Sequence, residues 1–222
     1  FTDQSGLALG YGWTHSFNIR LSTTASNATV TFGDGRSETH VLDGGQYVAE
    51  RSIYNQLLDN ADTTYTLTTK EQFHYVFDAQ GSLLSMLDKN GNTLSLAYDG
   101  NLLTNITDTA GRNITFQNNT NRLLSRIIDP IGRTNRFEYD AQTNLVAVIN
   151  ANNGTNRYAY DSDHQMTAAF DPRGTRYVQN VYDELQRVVS CQTDAHTNGT
   201  SFAYDFITRE TLVTNALGHV SI

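Results

Sequence analysis

The chain has 222 residues and a formal net charge of −8, with 38% hydrophobic and only 17% charged residues; Asn, Thr, Ser and Gln fill the place of the missing charge. It is too rich in aromatics for a disordered polyampholyte, no apolar run approaches the roughly 18 residues of a membrane helix, and the acidic balance argues against a nucleic-acid binder, which needs a basic stripe. Cys191 is the single cysteine, which excludes a disulfide framework.

No Met and no charged-then-apolar leader opens the sequence, so it reads as the interior of a longer chain. Residues 1–70 begin with Leu9-Gly10-Tyr11-Gly12-Trp13-Thr14-His15-Ser16-Phe17 and then alternate through Asn18, Ile19, Arg20 and Leu21. Thr29 to Phe32 followed by Gly33-Asp34-Gly35 reads as a strand and turn, and Tyr65 to Thr68 as another strand. The region is expected to be a β-rich start or cap, with Trp13 and Phe17 as its hydrophobic anchors.

Residues 71–222 repeat. An aromatic followed by Asp recurs at Phe77-Asp78, Tyr98-Asp99, Tyr139-Asp140, Tyr160-Asp161, Tyr182-Asp183 and Tyr204-Asp205, with a degenerate copy placed at Gln117-Asn118. The period is about 21 residues, and about seven such repeats are expected. Between these phrases lies Asp or Asn with Gly three residues later, ending at Gly91, Gly111, Gly132 and Gly174, more loosely at Gly218. Asn150 to Gly154 reads as one residue longer, and Asp194 to Gly199 as longer still.

That spacing suits a type I turn closed by a G1 bulge. The Asp side chain bonds its own backbone further on, Pro presets φ at the second position, and Gly takes a left-handed φ. Both prolines, Pro130 and Pro172, stand at the second position. Gly132→Val is therefore expected to destabilise, a β-branched residue being poorly suited to positive φ.

Strand segments fill the intervals. Leu94, Leu96 and Tyr98 alternate with Thr93, Ser95 and Ala97. In the other strand of each repeat, apolar residues stand three apart: Leu83 and Met86, Leu103 and Ile106, Leu124 and Ile127, Leu145 and Val148. A separation of three breaks strict alternation and predicts a bulge between them. No segment carries a sustained helical stripe. The expected fold is all-β, with repeated antiparallel hairpins stacking into one long curved sheet and little or no helix.

No catalytic constellation stands out. The six histidines are scattered without metal-ligand spacing, and nothing near Cys191 marks an activated thiol. The repeated Asp residues fall one per repeat, whereas calcium needs about six converging oxygens. No enzyme activity, cofactor or metal is therefore expected. The 12 Tyr and 10 Phe leave two readings open, packing between repeats or stacking on sugar rings.

The Tyr-Asp phrases, the turns Asp129–Arg133 and Asp171–Thr175 and the period resemble the YD-repeat, or RHS-repeat, family. The segment Gly10 to Phe17 is similar to the Gly-x-Gly-Trp-x-x-Ser stretch that opens the core of such proteins. The resemblance implies the first turns of a β-hairpin shell that encloses a C-terminal toxin or effector domain, in polymorphic toxins, toxin-complex subunits and teneurin-like surface proteins. It implies a secreted or cell-surface location. The partners implied are the remaining repeats and cargo of the same parent chain, with no nucleic acid and no membrane insertion. The alternative is a cell-surface adhesion or carbohydrate-binding module that presents aromatics to glycans.

Overall fold

A computed structural model describes residues 8–193 and 199–221. A four-stranded antiparallel sheet comes first: β1 (Arg20–Thr23), β2 (Asn27–Thr31), β3 (Ser37–Asp43) and β4 (Gln46–Ala49), ordered as the chain is. Alternation places Ala28 and Val30 of β2 at 0% exposure, with Leu21 of β1 and His40 of β3 buried on the same sheet.

A new sheet starts after Ala49. Its strands are β5 (Gln56–Asp59), β6 (Tyr65–Thr68), β7 (His74–Phe77), β8 (Leu83–Leu87), β9 (Thr93–Asp99), β10 (Leu102–Asp108), β11 (Asn113–Asn118), β12 (Leu124–Ile128) and β13 (Thr134–Tyr139). They continue as β14 (Leu145–Ile149), β15 (Thr155–Tyr160), β16 (Met166–Phe170), β17 (Arg176–Tyr182), β18 (Val188–Thr193), β19 (Thr200–Asp205), β20 (Glu210–Thr214) and β21 (Val220–Ser221). The all-β meander expected from the repeats is what the chain adopts. These seventeen strands make an open antiparallel sheet in chain order. Among the described residues there is no helix.

The chain forms two compact units, one up to Thr134 and one from Asn135. In the first, the core is built by Leu67, Phe77, Leu83, Ile106 and Leu124, all nearly or fully buried. The N-terminal sheet docks on the meander through β1, where Leu21 N–H donates to the Gly81 carbonyl at 2.9 Å and Arg20 bridges Ser82. The stretch before β1 runs across later strands, and Leu124 N–H donates to the Ala8 carbonyl at 2.6 Å. In the second unit, Leu145, Ala147, Ile149 and Ala169 are buried, Leu145 and Ala169 on one face of the sheet and Ala147 and Ile149 on the other.

The spacing of three between apolar residues has a direct structural cause. Tyr98 pairs with Leu103 and Ala97 with Asn105, so Thr104 is an extra residue in β10. Leu103 and Ile106 thereby return to one face, and both are buried. The same slip leaves Leu84, Ser125, Val146, Thr167 and Val189 as the extra residues in their strands.

Register also moves the degenerate phrase. Asn118 pairs with Leu124 across the bulge, as Tyr139 does with Leu145. The degenerate copy is thus Asn118-Asn119 and not Gln117-Asn118, and the uneven spacing around it disappears. The turn from Asn150 to Gly154 is not longer than the others: Asn150 N–H still donates to the Gly154 carbonyl, and Asn153 takes the positive-φ position at 63°. Asp99 pairs with Leu102, which leaves only Gly100 and Asn101 as a two-residue turn. Gly100 alone is at positive φ there (58°), as a type II′ turn requires. The stretch Asp194 to Asn198, where a long turn was expected, lies outside the described residues.

Candidate functional site

The repeated residues converge on the junctions between hairpins, and two devices recur there. The first is the five-residue turn. Asp129 accepts from Ile131 N–H at 3.0 Å and from Arg133 N–H at 2.9 Å through one carboxylate oxygen, Oδ1. Its own N–H donates to the Arg133 carbonyl and its carbonyl accepts from Gly132 N–H. Asp78, Asp88, Asp108, Asp140, Asp161, Asp171, Asp183 and Asn215 repeat the paired side-chain bonds. Asn119 and Asn150 do so as well, because a neutral amide oxygen accepts equally. Asp205 differs, bonding Ile207 and Thr208 N–H.

The fourth residue of these paired-bond turns has positive φ, whereas in the Asp205 turn the fifth, Arg209, takes it at 60°. Gly91, Gly111, Gly132 and Gly174 stand at 77–86°, with open space where a Cβ would go. In the turns that follow an aromatic-Asp phrase, or its Asn118-Asn119 copy, the same place is held by Arg122, Thr143, His164 and Gln186 at 62–66°. Gly81 is the exception in that series. A Cβ there would lie 1.8 Å from the Leu21 carbonyl oxygen, so the docked β1 strand itself demands glycine.

Charge is settled within turns. Arg112 pairs with Asp108, Arg133 with Asp129, Arg173 with Asp171 and Arg187 with Asp183 at 2.6–3.0 Å. The Arg187 side-chain bond holds the Asp183 carboxyl below the usual range, and the Arg112 backbone N–H does so for Asp108. Such exposed pairs are screened by water and salt and add little to stability.

The second device is the tyrosine rung. Each hydroxyl reaches back one repeat and donates to the carbonyl beside the previous bulge. Tyr98 bonds Leu83 at 3.0 Å, Tyr160 bonds Leu145 at 2.8 Å, Tyr182 bonds Met166 at 2.9 Å and Tyr204 bonds Val188 at 2.7 Å. Asn118 fills the tyrosine's slot in the degenerate repeat and points its amide at the Leu103 carbonyl at 3.5 Å. Phe77 is fully buried and has no hydroxyl to give. Burial pushes the Tyr98 hydroxyl up to about 12 and raises Tyr139 and Tyr182 as well. The rings are half-buried, not presented as a row.

At the N-terminal end, Phe17 meets Phe116 edge-on at 6.5 Å, and His15 lies 6.0 Å from the same ring. Trp13 N–H donates to the Gly10 carbonyl at 3.4 Å. Burial, helped by Arg20, lowers the His15 imidazole to about 4. Sequence reasoning read Asp78-Ala79-Gln80-Gly81 as another such turn but missed the contact of Gly81 with Leu21, and it missed Phe116; both depend on segments far away in the chain. It also missed Arg187, which lies over the Tyr204 and Phe206 rings at 4.1 and 4.6 Å. Among the described residues no three His, Cys, Asp or Glu side chains gather as metal ligands.

A family model described as Teneurin YD-shell matches residues 54–221. A crystal structure described as TcdB2-TccC3-Cdc42 is similar in fold at a TM-score of 0.50 and 15% identity, over 85% of this chain and 12% of that one. One described as TcdB2-TccC3 gives 0.47 and 12% identity, over 90% of this chain and 14% of the other. The chain thus spans about an eighth of the length of these structures. No curated protein matches it.

Proposed function

We propose that this chain, which belongs to the Teneurin YD-shell family, is a non-catalytic wall segment of a β-shell that encloses a C-terminal toxin or effector domain of its parent chain. The reading rests on the tyrosine rungs. The repeats of Tyr98, Tyr160, Tyr182 and Tyr204 each spend a hydroxyl on a carbonyl of the repeat before it. Such a ladder extends repeat by repeat and satisfies its own backbone, which is what a wall requires. A glycan platform would need those rings exposed, whereas they are half-buried and bonded; the exposed aromatics Tyr54, Phe73 and Phe206 stand apart in sequence. Its partners would be the further repeats and cargo of the same polypeptide, and its location secreted or cell-surface.

Limited proteolysis of the parent chain, with a protease site placed inside the C-terminal domain, tests this. The site is expected to survive in the intact parent and to be cut once residues 54–221 are deleted. Equal cutting in both overturns the enclosure and leaves the adhesion reading, to be followed by a glycan-binding screen.

A further inference from the structure

Two guanidinium groups of the first compact unit meet on one asparagine. Arg20 donates through Nη2 to the Asn101 carbonyl at 3.3 Å and through Nε to Asn18 Oδ1 at 3.3 Å. Arg122 donates through Nη2 to Asn101 Oδ1. Among the described residues neither has a carboxylate within ion-pair distance. The arginines of Asp-opened turns are neutralised at home, on Asp108, Asp129 and Asp183. Arg122 is not, because its turn opens on the neutral Asn119. A guanidinium has five N–H donors, so both heads keep donors to spare.

Arg20 and Arg122 both line one cavity of about 210 Å³. Phe17, Ile19 and Leu103 line it on the apolar side, and His15 and Asn121 are also in its lining. No Asp or Glu lines it, in a chain whose net charge is −8. The Nδ1 atom of His15 is buried without a hydrogen-bond partner. With its imidazole lowered to about 4, His15 is neutral near pH 7 and adds no charge of its own.

We propose that this cavity binds a small oxyanion group, phosphate or sulfate, clamped between Arg20 and Arg122. Arginine forks match the geometry of such groups, and charge-assisted bonds are the stronger class. The anion would offset the mutual repulsion of the two cations. It would also tie together three segments: the start of β1, the β9–β10 turn at Asn101 and the β11–β12 turn at Arg122.

The test is titration calorimetry with thermal melting, using inorganic phosphate and sulfate at constant ionic strength and chloride as the control. A saturable rise in Tm with phosphate or sulfate, absent with chloride, is expected. R20Q and R122N should each weaken binding by about tenfold or more, whereas R133Q, whose guanidinium serves Asp129, should not. Arg122 is exposed and Asn tolerates its positive φ, so R122N keeps the fold. Galactose 6-sulfate distinguishes sources: tighter binding of the ester than of free sulfate supports a site for the charged end of a larger ligand. No saturable response to any of these anions, or an unchanged response in R122N, overturns the proposal.

Discussion

At the scale of single residues, the tyrosine hydroxyl is the group to remove. Tyr160→Phe keeps the ring and leaves the Leu145 carbonyl without its donor. Leaving a buried acceptor unpaired costs about 1–3 kcal/mol, so a fall in urea stability of about that size is expected, and an unchanged midpoint would show that water serves the carbonyl equally well. His15 gives a second test. Its folded pKa, about 4, lies below the unfolded value of 6.5. As pH falls from 6.5 toward 4 the unfolded state takes the proton first, so stability present at neutral pH is lost across that window. By pH 5 the loss from this residue is at most about 2 kcal/mol, and the lowered His40 acts in the same direction. Unfolding free energies at pH 7 and pH 5 measure it; His15→Phe, which suits the contact with Phe116, should flatten the dependence.

At the scale of the element, glycines that look alike in sequence differ in what they face. Gly132→Val places a Cβ in open space at φ 86°. Its cost is conformational alone, about 1–2 kcal/mol by the left-handed penalty. Gly81→Ala drives a Cβ into the Leu21 carbonyl oxygen and must displace β1 from the meander. Differential melting should rank Gly81→Ala as the more damaging variant despite its smaller side chain; the reverse order would mean that the N-terminal sheet adds little to the stability of the first unit. The two cases also mark what the sequence could convey. Turn length, bulge position and strand face are local properties, and spacings such as Leu103 to Ile106 reported them. Gly81, Phe116 and the meeting of Arg20 with Arg122 depend on which segments come together. Nothing within about 21 residues signals that. Even the misplaced phrase at Gln117-Asn118 had a local cause: with no aromatic present, only pairing register could show that Asn118 occupies the tyrosine's place.

At the scale of the whole molecule, the buried hydroxyls act together. Tyr98 ionises only near pH 12, and Tyr139, Tyr158 and Tyr182 are also raised, chiefly by burial. Stability is therefore full below the ordinary tyrosine pKa near 10 and is lost as pH rises above it. Absorbance of tyrosinate should lag in the folded chain and rise together with unfolding; smooth titration of all twelve tyrosines near pH 10 would contradict the rungs. Their orientation has one more consequence. Every hydroxyl donates toward the N-terminus and none toward the C-terminus among the bonded rungs. The array therefore has a direction, and it is the direction of synthesis. A ribosome releases the acceptor carbonyl before the donor that will use it, so each emerging tyrosine meets an acceptor already synthesised. Growth proceeds like a zipper fed from one end, with the newest repeat always the one still waiting for its lock.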